Sequence, residues 1–160
     1  MVTPSYEKQS GSNESIRLFE SDFMEHFSHI RPYVVLVVWG PIVAFFGYLT
    51  YRNWPADQPA LLTIPLVLGG ILFWTLSEYV LHRFVFHFTA KSERGKRVSF
   101  LFHGVHHAQP MEKTRLVMPP VVSIPIGVFF FGLFYLVFFI LAKRPYLLYP
   151  VFSGTILGYL

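Results

Sequence analysis

Five of the seven histidines in this 160-residue chain stand within 26 residues, as His82 and His87 in HRFVFH and His103, His106 and His107 in HGVHH. Imidazole nitrogen is a borderline ligand for divalent transition metals, so a cluster of this density points to a metal site. A lone histidine at a membrane interface is ordinarily an amphipathic side chain bonded to a headgroup or a carbonyl. Five at these spacings favour ligation. Residues of an α-helix advance about 100° each, so His103, His106 and His107, at i, i+3 and i+4, share one face. His82 and His87 are five apart, about 140° around an ideal helix. They suit either two different ions or a helix end that unwinds between them, and two adjacent ions is the preferred reading. Glu78 lies one turn before His82, where it can take that ring's N–H or ligate directly; the plainer role is a buried acid paired with Arg83 or Lys113. His26 and His29 also sit at i, i+3, but in an acidic tail with no third partner nearby, and are expected to be solvated surface residues.

The elements that must position these rings are membrane spans. Hydrophobic residues make up 53% of the chain, aromatic residues 19% and charged residues only 14%, and mean hydropathy is +0.46, unlike an average soluble domain. Residues 33–50 carry no charge and approach the roughly 20 residues that cross a hydrocarbon core as helix. Pro41 inside them is tolerable in a membrane bundle. YRNWPADQP at 51–59 reads as a short outer loop with interfacial aromatics. A second apolar run covers 60–81 and continues through HRFVFHF, a third spans about 121–142, and a fourth starts near 146. The Phe and Leu stripes at 128–141 are expected to face lipid or the bundle core, and an acyl-chain slot would be built from the same residues. The expected fold is all-α: a multi-pass membrane bundle of about four transmembrane helices with a cytosolic histidine-rich helical segment, preceded by a polar cytosolic tail at 1–30.

Orientation follows from basic residues near the membrane, which favour the cytosolic side. The 89–118 connection carries Lys91, Arg94, Lys96, Arg97, Lys113 and Arg115, whereas the 51–59 loop has only Arg52. The histidines and the tail are therefore expected to face the cytosol. The first 30 residues lack the basic and apolar regions of a cleaved signal peptide. Absence of cysteine excludes disulfides, thiolate sites and a cysteine nucleophile, leaving nitrogen and oxygen to hold any metal. The formal charge of +4 is modest, and the basic residues are not interleaved with base-reading side chains, so nucleic acid is not an expected partner. Anionic headgroups explain the surplus better.

SEYVLHRFVFHF, HGVHHAQPMEKTRLVMPP and SIPIGVFF resemble the fatty acid 2-hydroxylase branch of the sterol desaturase and fatty acid hydroxylase superfamily, over about residues 60–160. The resemblance implies a four-helix membrane bundle with a cytosolic helical cap. It implies histidine boxes of the types H-x4-H and H-x2-H-H that hold two metal ions, taken to be iron, with zinc an acceptable substitute for the same nitrogen ligands. It also implies insertion of oxygen from O2 into a lipid acyl chain, typically at carbon 2 of a sphingolipid N-acyl group. By matching position, His82 and His87 form the first box and His103, His106 and His107 the second. Pro110 and the RLVMPP segment, Arg115 to Pro120, match the signature that follows it; Glu78 and Arg115 are the expected supporting residues.

Such chemistry requires two external electrons. A 30-residue tail does not accommodate a cytochrome b5 domain, so a separate donor of cytochrome b5 or ferredoxin type is expected on the cytosolic face. Relatives of this kind continue beyond the position of GYL into two further histidine boxes, whereas the chain stops at Leu160. The expectation is a truncated frame, 31–160 being the N-terminal part of the hydroxylase-like domain, without activity on its own. Two alternatives stand beside this reading. One is another hydroxylase or desaturase of the same superfamily, which RLVMPP after HGVHH disfavours. The other is a metal-binding membrane protein without catalysis, such as a zinc-site structural protein or a transporter.

Overall fold

The computed structural model describes residues 17–26, 29–87, 91–100, 104–108, 112, 114 and 117–160, and among these it does not describe the side chains of Met24, His26, Phe86, Arg97 and His106. Every regular element among the described residues is helical. In chain order they are α1 (Asp22–His26), α2 (Pro32–Asn53), α3 (Thr63–Val80), α4 (Glu93–Ser99), α5 (Val105–Ala108), α6 (Pro120–Phe134) and α7 (Leu148–Tyr159). They fall into two compact units, Tyr33–Val80 with Pro120–Leu160, and Met1–Pro32 with Leu81–Pro119.

The first unit is built by apolar runs that satisfy their backbone internally, as any segment in lipid must. Among the described residues, three helical stretches are long and apolar enough to cross a membrane: Pro32–Asn53, Ala60–Val85 and Pro120–Leu141. These correspond to the first three of the about four spans expected from the sequence, with ends that agree to within a few residues. Pro41 sits inside α2 and Pro125 inside α6 without ending either helix. Beyond Phe134 the third stretch widens into i→i+5 turns over Tyr135–Leu141. It ends at Leu141, and Lys143, with a φ of 53°, lies in the turn that leads to α7.

The fourth apolar stretch forms α7, 12 residues long, about 18 Å of helix. Its residues from Pro150 to Ile156 are buried, and its principal packing partner is α3. Two glycines permit that approach. A Cβ on Gly154 would collide with the Val67 carbonyl, and one on Gly70 with the Val151 carbonyl, so the two backbones touch where larger side chains would separate them. Gly154 and Gly158 form a G-x-x-x-G pair on this face, a signal in the sequence that the span pattern alone did not use.

Aromatic rings fill the remaining space. Phe73 of α3 meets Phe130 and Phe134 of α6 with centroids 5.1 and 4.9 Å apart, and Phe152 of α7 meets Phe46 of α2 at 4.7 Å, separations at which edge-to-face pairs attract. Trp39 Nε1 of α2 donates to Ser123 Oγ of α6 at 3.1 Å in a buried setting. Of the Phe and Leu stripes, Phe130 and Phe134 point into this core, while Val128, Phe129, Leu136, Phe139 and Leu141 are exposed, as lipid-facing residues would be. Both expected environments occur on one helix.

The second unit contains the described part of the tail, the residues following α3, and α4 and α5. The described part of the tail is held by polar contacts. Arg17 pairs with Asp22, and Glu25 Oε2 accepts the N–H groups of Leu18 and Phe19 at 2.8 Å each. The expectation that His29 is a solvated surface residue is corrected: its ring is partly buried, with Nδ1 2.7 Å from Thr114 Oγ1 and Nε2 3.4 Å from Glu25 Oε1. The Glu25–His29 spacing of i, i+4 was the visible signal; Thr114, 85 residues away, had none.

Candidate metal centre

His82 is the second residue past the end of α3, where the helix widens into i→i+5 turns over Leu81–Phe86. There the His87 N–H donates to the His82 carbonyl at 3.2 Å. In such a turn, residues five apart come into register, as residues four apart do in an α-helix. The separation of about 140° expected on an ideal helix therefore does not arise. Instead the two rings face each other, with centroids 4.8 Å apart and Nε2 atoms 3.0 Å apart.

The third ring comes from α5, a single turn whose first residue, Val105, is buried at 7% exposure. His107 projects from this turn with its centroid 5.2 Å from that of His87 and 6.4 Å from that of His82. One nitrogen from each of the three rings lies within 4.8 Å of the others, and all three side chains are exposed. Two nitrogens bound to one zinc-like ion at about 2.1 Å each stand at most about 4.2 Å apart. The His82–His87 separation is inside that limit, and His107 needs only a small movement to meet it. Three imidazoles without a thiolate form a donor set that suits zinc or ferrous iron and leaves other coordination positions open.

Of the residues singled out from the sequence, the structure thus brings together His82, His87 and His107. His103 and Arg115 lie outside the described residues, as do Pro110 and Lys113. His106 belongs to α5, beside His107. Glu78 stands on the last turn of α3 and is exposed, which removes the buried-acid reading. Its proposed partner Arg83 instead places its guanidinium carbon 5.6 Å from the centroid of the Phe84 ring.

No family model matches the chain. It is similar to the fatty acid 2-hydroxylase of Mus musculus, with 35% identity over 161 residues covering 90% of this chain and 42% of that protein. It is 40% identical over 109 residues to the dihydroceramide fatty acyl 2-hydroxylase FAH1 of Arabidopsis thaliana, covering 68% of this chain and 45% of the other. Among solved structures it is similar to full-length scs7p, in which only the hydroxylase domain is visible, with a TM-score of 0.75 and 35% identity over 86% of this chain and 50% of that one. The chain spans less than half the length of the mouse and Arabidopsis relatives.

Proposed function

The chain is an integral membrane protein of the fatty acid hydroxylase family, and from that membership we propose that it takes part in hydroxylating the acyl chain of a lipid. The position attacked is carbon 2 of a fatty acyl or sphingolipid N-acyl chain, O2 supplies the oxygen, and an external donor of cytochrome b5 or ferredoxin type supplies two electrons. The observation that carries this reading is the convergence of His82, His87 and His107, whose ligand nitrogens lie within 4.8 Å of one another. His103 and His106, from the same box as His107, join them as ligands, with Glu78 and Arg115 as supporting residues. Residues 31–160 form the N-terminal part of a hydroxylase-like domain, and residues 1–30 its cytosolic tail.

Two iron ions would supply the oxidation of an unactivated C–H bond by O2, whereas zinc, which suits the same nitrogen ligands, has no redox chemistry. The chain's own residues perform the remaining tasks. The widened turn after α3 sets the His82 and His87 rings against each other, and α5 presents His107 to both. Six basic residues between 89 and 118 support placing the rings on the cytosolic face, where a soluble electron donor docks. That face belongs to the endoplasmic reticulum membrane in a eukaryote and to the inner membrane in a bacterium. Five imidazoles fill two ligand shells only in part, so turnover requires further ligands.

Lipid analysis tests the proposal. Cells carrying the intact gene contain 2-hydroxy acyl lipids that disappear on deletion and do not return when the gene is restored with His107→Ala. Unchanged hydroxylated lipid after deletion overturns the reading.

A further inference from the structure

We propose that His29 and Ile30, with the described tail residues that brace them, form a strap that holds Thr114 between α5 and α6, and that His29 is a positioning residue for the histidine cluster. The inference rests on the metal-centre reading above and adds to it a part of the chain that carries no metal ligand.

Two bonds join the same two places. His29 Nδ1 is 2.7 Å from Thr114 Oγ1, and the N–H of the next residue, Ile30, donates to the Thr114 carbonyl at 2.7 Å. The hydroxyl proton of Thr114 is directed to Glu112 Oε1, 2.7 Å away. A hydroxyl has one proton to give. His29 Nδ1 therefore donates to Thr114, and the bond has a defined direction.

The other end of the ring lies beside a carboxylate. Nε2 faces Glu25 Oε1 at 3.4 Å, while Glu25 Oε2 closes the preceding loop by accepting from Leu18 and Phe19. A continuous polar chain thus runs from Leu18 and Phe19 through Glu25, His29 and Thr114 to Glu112.

That chain matters because α5 is four residues long. A helix of this length has no stability of its own, so the direction of His107 depends on what holds its flanks. Val105 is buried on one side of His107. On the other, the first side-chain anchor among the described residues is the Glu112–Thr114 pair, and the strap is what it is tied to. His29 acts on the cluster through Thr114, as partners outside the ligand set orient ligands in metal sites generally.

The test uses the purified 160-residue chain in detergent, with backbone hydrogen exchange read at Ile30 and Thr114 and zinc affinity read by titration. His29→Ala speeds exchange at Ile30 and Thr114 by about tenfold and weakens zinc binding by about tenfold. His29→Asn keeps an N–H donor near the Nδ1 position and recovers both to within about threefold of wild type. Unchanged exchange in His29→Ala overturns the strap. Faster exchange with unchanged zinc affinity overturns the positioning role. A wild-type chain that takes up no zinc overturns the metal centre and the positioning role with it, while exchange at Ile30 still decides the strap.

Discussion

The Nε2 atoms of His82 and His87 stand 3.0 Å apart because the His87 N–H bonds to the carbonyl five residues back. A single widened turn turns H-x4-H from a divergent pair into a convergent one. Wide turns of this kind are uncommon and recur at functional sites, and this one leads directly out of a membrane helix into the histidine segment. Its geometry is specific to five-residue spacing.

Inserting one alanine between Phe84 and Val85 moves His87 out of register with His82. The expected result is loss of zinc affinity by at least about tenfold, read by titration, with the helical content of the spans unchanged by circular dichroism. Retained affinity would mean that the pair is not held by the i→i+5 turn.

The α3–α7 contact predicts a sharp contrast between glycines. Gly154→Ala forces a methyl group against the Val67 carbonyl and lowers stability by about 1–3 kcal/mol. Gly132→Ala, where a Cβ would meet nothing within 4 Å, is neutral or raises stability by up to about 1 kcal/mol. Denaturation in detergent compares the two. Equal effects would contradict the close backbone approach.

Ser123→Ala leaves the buried Trp39 N–H without the hydroxyl acceptor it has at 3.1 Å. Interhelical bonds of this kind in membrane proteins contribute about 0.6–1.7 kcal/mol, and the same range is expected for the loss of stability. Trp39→Phe in the Ser123→Ala background should then cost less than Trp39→Phe alone, a coupling that a double-mutant cycle reads directly.

The spans were legible because uncharged runs near 20 residues have few other uses in a chain of this composition. So was the density of histidines. The pairing of His82 with His87 was not, because helix geometry assumes a constant turn and this pair depends on a local departure from it. The role of α7 was hidden for a different reason. The sequence reads it as a fourth span, while Gly154 and Gly158 mark a packing face that becomes meaningful only opposite Gly70. His29 looked solvated because Thr114, the residue it binds, is 85 positions away.

Metal removal should act locally. A chelator is expected to speed hydrogen exchange across Leu81–His87 and Val105–Ala108 by about tenfold or more, with protection in α3 and α7 unchanged, since bound metal ties together only the histidine-bearing turns. Exchange that rises equally in α7 would contradict a site confined to those turns.

The most direct measurement is the metal content of the purified chain, by mass spectrometry, after expression in iron- and zinc-supplemented medium. The account predicts at least one tightly held ion per wild-type chain, and its loss when His82, His87 and His107 are all changed to alanine. A metal-free wild-type chain, or equal metal in the triple variant, would contradict the claim that these three imidazoles form a metal centre.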